Sequence, residues 1–185
     1  KPEAAIIDEK FDYRPAKAEI DSGGILYVLS TNCYSGALQF DSKGEFMGFY
    51  GSEDVDVTFE ILLRNFWKDL LSDAANKGMA RTVPVEFISL CIDRKDFVFT
   101  IRRGGEAVTG QVRKLNAKGD NVLDETKRFG DHVTEIQLKD LAVDDEGFIT
   151  VIDGGSGRIM QYDADGEMLY AFGGKKFGSD QVGTF

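Results

Sequence analysis

Few residues of this chain have a type and spacing that could do chemistry. His132 is the only histidine, so any Ser-His-Asp relay would have to be built on it. It lies in the polar stretch Gly130-Asp131-His132, which reads as an exposed loop and not as the seat of a general base. A single histidine also excludes a His-rich metal centre. The acidic stretches Asp144-Asp145-Glu146-Gly147 and Asp163-Ala164-Asp165-Gly166 resemble calcium loops in composition only. An EF-hand loop needs ligands at alternate positions and a distant bidentate Glu, and neither stretch has them. Gly154-Gly155-Ser156-Gly157-Arg158 and Gly173-Gly174-Lys175-Lys176 look like phosphate cradles, but neither has Walker spacing and neither opens a helix. Both read as connecting loops. Arg102-Arg103-Gly104-Gly105 is a basic spot too small for a nucleic-acid footprint. Cys33 and Cys91 are the two cysteines. Cys91 stands in the apolar run Ile88-Ser89-Leu90-Cys91-Ile92, where an inert buried thiol is expected in preference to a disulfide with Cys33. No residue set reads as an enzyme active site, so no catalytic residue is expected.

The elements that must position these residues follow from composition. The chain has 185 residues, 42% of them hydrophobic, enough for one globular unit with a real core. Gly is abundant at 21 and Pro scarce at 3, with 14 Phe and 6 Tyr. Many tight turns joining aromatic-rich strands would produce that balance. The net charge of −10 repels phosphate backbones and anionic membrane surfaces, so no nucleic-acid partner is expected. No apolar run approaches the roughly 18–20 residues of a spanning helix, so no direct membrane insertion is expected. The chain opens at Lys1 with no visible signal peptide, as a mature chain or an excised piece would.

Three segments align as internal repeats. Each runs apolar strand, Asp, two polar residues, Gly or Asp, then a second apolar strand: Glu19 to Val28, Cys91 to Thr100, and Ala142 to Val151. Asp at the first turn position can bond the amides ahead of it, and Gly three residues on accepts positive φ. Asp96 stands in place of Gly in the second copy, and Asp tolerates that geometry. A second turn follows each time, at Asp41-Ser42-Lys43-Gly44, Asn116-Ala117-Lys118-Gly119 and Asp163-Ala164-Asp165-Gly166. A last apolar stretch closes each unit: Phe46 to Gly51, Val122 to Gly130, and Met168 to Gly173. Four strands joined by two Asp-x-x-Gly hairpins form one propeller blade. The sequence therefore predicts an all-β fold of three blades, over about 14–51, 84–130 and 136–174. Strands are expected at Ile25–Leu29, Ala37–Phe40, Phe97–Ile101, Gln111–Leu115, Phe148–Ile152 and Arg158–Tyr162.

The first turns are 51 residues apart between the second and third units but 72 apart between the first and second. The excess holds apolar positions at Phe59, Leu62, Leu63, Phe66, Trp67, Leu70 and Leu71. Steps of three and four mark an amphipathic helix. A helical insertion over about 55–80 is expected, with Trp67 as its core anchor.

The third unit, from Leu141-Ala142-Val143-Asp144-Asp145-Glu146-Gly147 to Tyr170-Ala171-Phe172-Gly173-Gly174, resembles an NHL repeat. The whole chain resembles a group of Firmicute proteins with NHL-like blades. In these, a Trp-containing helical insertion precedes a Pro-x-Glu-Phe segment, here Asn65-Phe66-Trp67-Lys68 and Pro84-Val85-Glu86-Phe87. The resemblance implies a six-bladed ring, of which this single partial domain holds three blades. The ending Gly183-Thr184-Phe185 resembles the linker into a further blade. It also implies an extracellular or cell-surface setting, and a non-enzymatic binding or scaffold module for a protein, small-molecule or carbohydrate ligand. The alternative it implies is a metal-dependent, lactonase-like hydrolase once the ring is complete. That would use a divalent metal such as calcium, with Glu19 and Glu86 as the acidic candidates. Otherwise no cofactor is expected. Three blades leave flanks open, and a homodimer closing the ring is expected.

Overall fold

The computed structural model describes residues 13–31, 33–51, 86–103, 110–130 and 136–174. Among them there are eleven strands and no helix. The expected helical insertion, Trp67 and His132 lie outside the described residues. The first sheet is β1 (Pro15–Ile20), β2 (Leu26–Ser30), β3 (Ala37–Phe40) and β4 (Phe46–Tyr50), in that order. The second is β5 (Glu86–Ile92), β6 (Val98–Arg103) and β7 (Val112–Leu115). The third is β8 (Leu138–Val143), β9 (Ile149–Asp153), β10 (Arg158–Tyr162) and β11 (Met168–Gly173). All three are antiparallel meanders.

The six turns share one construction. In each, the Asp or Asn carbonyl accepts from the amide three residues on, and its own amide donates to the carbonyl four residues on. Its side chain then takes the amides ahead of it. Asp93 Oδ1, for instance, accepts from Lys95 at 2.8 Å and Phe97 at 2.9 Å. The fourth residue carries positive φ every time, including Asp96 at 61°. This is a type I turn with a one-residue bulge. It accounts for a small shift in the strand bounds. Ile25, Phe97 and Phe148 exchange their hydrogen bonds with the turn Asp, so the ladder begins one residue later than the apolar pattern suggests. Ala37–Phe40 and Arg158–Tyr162 match the expected bounds.

The second unit departs from the expected four strands. Val122 to Gly130 forms no strand; a single bridge joins Asn121 to Leu115. Asp124 starts another turn, accepting the Thr126 amide at 2.9 Å through Oδ1. That bend carries Leu123 and Phe129 into the core instead of along an edge.

The sheets stack face to face. Tyr27, Leu29, Ala37 and Tyr50 of the first pack on Phe87, Leu90, Val98 and Leu115 of the second. Phe99, Ile101 and Val112 of the second pack on Leu141, Val151 and Met160 of the third. The approach is close at Gly51, where a β-carbon would fall 2.7 Å from Leu115 Cδ1. Turn ends are tied as well: Asp96 accepts from the Ser22 amide at 2.8 Å, Arg94 pairs with Asp145, and the Tyr50 hydroxyl donates to the Asn116 carbonyl at 2.5 Å. The result sets the first strands β1, β5 and β8 side by side.

Candidate functional site

The adjacent first strands bring equivalent repeat positions together. Four residues before the first-turn Asp stand Lys17, Ser89 and Asp140; two before it stand Glu19, Cys91 and Ala142. Residues two apart on a strand share a face, so these positions form two successive levels where the sheets converge. At the first level, Lys17 Nζ donates to Asp140 Oδ1 at 2.6 Å and to Ser89 Oγ at 3.1 Å. Ser89 Oγ donates to the same Asp140 oxygen. Ser89 is buried, and its carbonyl accepts from Thr100 Oγ1 at 2.9 Å. The Lys17 and Asp140 side chains keep 28% and 52% of their exposure, so this polar knot is open to solvent on its charged side.

Burial alone would raise the Asp140 carboxyl. Hydrogen bonds from Lys17 and Ser89, the Lys17 charge and the Leu141 amide together carry it below the ordinary carboxylate value. At the next level, burial pushes the Cys91 thiol up to about 12; Lys17 opposes this, while Glu19 and Asp140 add to it. Cys33, on the far face of the first sheet, is pushed up to about 11, again chiefly by burial. Both cysteines are free, and protonated thiols at neutral pH are poor nucleophiles. Nor is Ser89 set up for attack. Its proton is directed at Asp140, and an ammonium donating to two oxygens has no lone pair with which to act as base. What the knot offers is recognition: a cationic donor beside an anionic acceptor, with Glu19 one level away.

The other residues singled out by sequence fall in separate places. Glu19 is half-buried on β1, paired across the ladder with Tyr27. Glu86 is buried at the start of β5 and holds Arg103 Nη2 at 2.5 Å. Five residue steps along β5 separate Glu86 from the level of Cys91, roughly 16 Å of strand, so the two carboxylates do not meet. Among the described residues no group of three or more His, Cys, Asp or Glu could share one metal ion. The Gly154–Gly157 loop already cradles an anion, its own Asp153. That buried carboxylate accepts from the Gln137 and Gly155 amides, each at 2.9 Å, and from Ser156 Oγ at 3.0 Å. Asp144 and Asp163 spend Oδ1 on backbone amides. Sequence reasoning missed Lys17, Ser89 and Asp140. The signal was present in the aligned repeats, since all three hold the same offset from the turn.

No family model matches the chain, and no curated protein matches it. Solved structures do resemble it. A protein of unknown function from Bacteroides caccae aligns with a TM-score of 0.46 at 11% identity, over 89% of this chain and 48% of that one. An extracellular domain from Bacteroides thetaiotaomicron aligns with a TM-score of 0.38 at 12% identity, over 91% of this chain and 24% of that one. The chain thus spans less than half the length of either. No helix among the described residues is long and apolar enough to cross a membrane.

Proposed function

We propose that this chain is part of an NHL-like β-propeller and serves as a non-enzymatic binding module in an extracellular or cell-surface setting. The blade reading rests on three stacked antiparallel sheets with a repeated turn and neighbouring first strands. In a propeller the first strands line the central axis, where ligands bind. The observation that carries the functional reading is the Lys17–Ser89–Asp140 knot. Its groups are bonded to one another and lack an activated nucleophile, yet its charged side faces solvent. A hydroxyl-rich, uncharged ligand suits such a surface, taking a bond from Lys17 and giving bonds to Asp140 and Glu19.

Thermal-shift titration tests this. Neutral oligosaccharides should raise the unfolding temperature saturably, and Lys17→Met or Asp140→Asn should abolish the rise. Calcium chloride and zinc chloride run beside them. A shift of several degrees with either ion, lost in Glu19→Gln, would overturn the binding module in favour of a metal-dependent hydrolase. Absence of any oligosaccharide shift would remove the carbohydrate class.

A further inference from the structure

One turn breaks the rule of its own repeat. Three residues after each first-turn Asp stand Gly24, Asp96 and Gly147. All three carry positive φ, at 82°, 61° and 92°. Glycine takes that conformation freely, whereas a residue with a β-carbon is strained in it. Asp96 is the one residue other than glycine to carry it among the described residues. Its carboxylate is spent across the sheets: Oδ1 accepts from the Ser22 amide at 2.8 Å and Oδ2 from Ser22 Oγ at 2.5 Å. The next pair of turns shows why an acid stands here. Ser22, Arg94 and Asp145 each follow a first-turn Asp by one residue. Arg94 is long and reaches Asp145 at the matched position, and glycine is kept at Gly147. Ser22 is short, and its acceptor comes from two residues further round the turn.

The strand that leads into Ser22 is weakly anchored by apolar packing. β1 has no buried residue and enters none of the apolar clusters. By contrast β5 buries Phe87 and Leu90, and β8 buries Leu138 and Leu141. β1 pairs with β2 along one edge, and its register slips between Pro15 and Lys17. Its bonds to the second sheet stand near its two ends: Lys17 Nζ to Ser89 Oγ at 3.1 Å, and Ser22 to Asp96. We propose that Asp96 is a positioning residue for the Lys17–Ser89–Asp140 knot. Its two bonds to Ser22 clamp the end of β1 beside the second sheet, and so hold Lys17, five residues back, within reach of Ser89 and Asp140. The clamp offsets the strain of a left-handed Asp. Its bearing on ligands rests on the binding role proposed above; the clamp itself does not, and its test needs no ligand.

NMR titration of Asp140 in the whole chain tests it, in Asp96→Gly and in Asp96→Asn. Lys17 helps to hold that carboxyl below its ordinary value against burial. Asp96→Gly restores the residue of the sister turns and relieves the strain, but it cuts both bonds to Ser22. With Lys17 no longer held in place, the Asp140 titration should move upward. Loss of the Asp96 charge alone would move it downward, since a neighbouring carboxylate opposes ionisation, so the sign separates clamp from charge. Asparagine tolerates the left-handed turn and keeps both bonds, its oxygen accepting from the Ser22 amide and its NH2 donating to Oγ. Asp96→Asn should therefore hold the Asp140 titration at or below its position in the unaltered chain. An unmoved or lowered titration in Asp96→Gly overturns the proposal, even if that variant unfolds at a lower temperature, because a turn that merely stabilises would do the same. An upward shift in Asp96→Asn equal to that in Asp96→Gly overturns it as well.

Discussion

The turn ends and the first-strand layer are both polar, both rich in carboxylates, and built in opposite ways. At the turns Asp41, Asp93, Asp144 and Asp163 bind amides two and four residues ahead, as Asp41 does with Lys43 at 2.9 Å and Glu45 at 2.8 Å. At the first-strand layer Asp140 binds Lys17, 123 residues away, and Ser89, 51 residues away. The turn carboxylates spend Oδ1 on local backbone and would make a hairpin in any sheet. The layer exists only because three sheets stack in one register.

Removing the stacking should have the largest effect. Phe99→Ala empties a buried position between the second and third sheets and should cost about 3–5 kcal/mol in chemical denaturation. It should also loosen the Lys17–Ser89–Asp140 knot, seen as a changed Asp140 titration. An unaltered Asp140 signal would show that the layer is held by its own hydrogen bonds. A turn should matter less. Asp93→Ala removes the oxygen that accepts from two amides and should cost about 1–2 kcal/mol, while any oligosaccharide-induced thermal shift that depends on Lys17 and Asp140 persists. Loss of binding there would mean the two regions are coupled.

Smallest in stability is Lys17→Met, because the ion pair is solvent-open and such pairs contribute little. Its readout is titration. The Asp140 carboxyl is depressed in the folded chain, so folding favours its ionised form. The stability it contributes is complete above the ordinary carboxylate value and disappears as pH falls through the folded one. Without Lys17 the opposing effect of burial should dominate, and the Asp140 titration followed by NMR should move upward. An unmoved titration would assign the depression to Ser89 and the Leu141 amide alone.

Much of this fold is legible in the chain because its rules are short-ranged. The turn positions, the positive φ at Asp96 and the bounds of β3 and β10 all follow from residues within a few positions of one another. The fourth strand of the second unit was misread for a physical reason. Val122 to Gly130 has the apolar content of a strand, but Asp124 caps a bend, and Leu123 and Phe129 gain more by burial between sheets than along an edge.

By itself the sequence determined where the chain turns and which face of each strand is apolar, since amide bonds across two to four residues and a period-two pattern need no partner from elsewhere. The tertiary structure alone decided that Lys17, Ser89 and Asp140 meet, that the glycine loop closes on Asp153 and not on a phosphate, and that Tyr170 and Phe172 of the third sheet stay exposed. Those outcomes depend on how sheets stack, and stacking joins residues 51 to 123 positions apart, beyond the reach of any local rule.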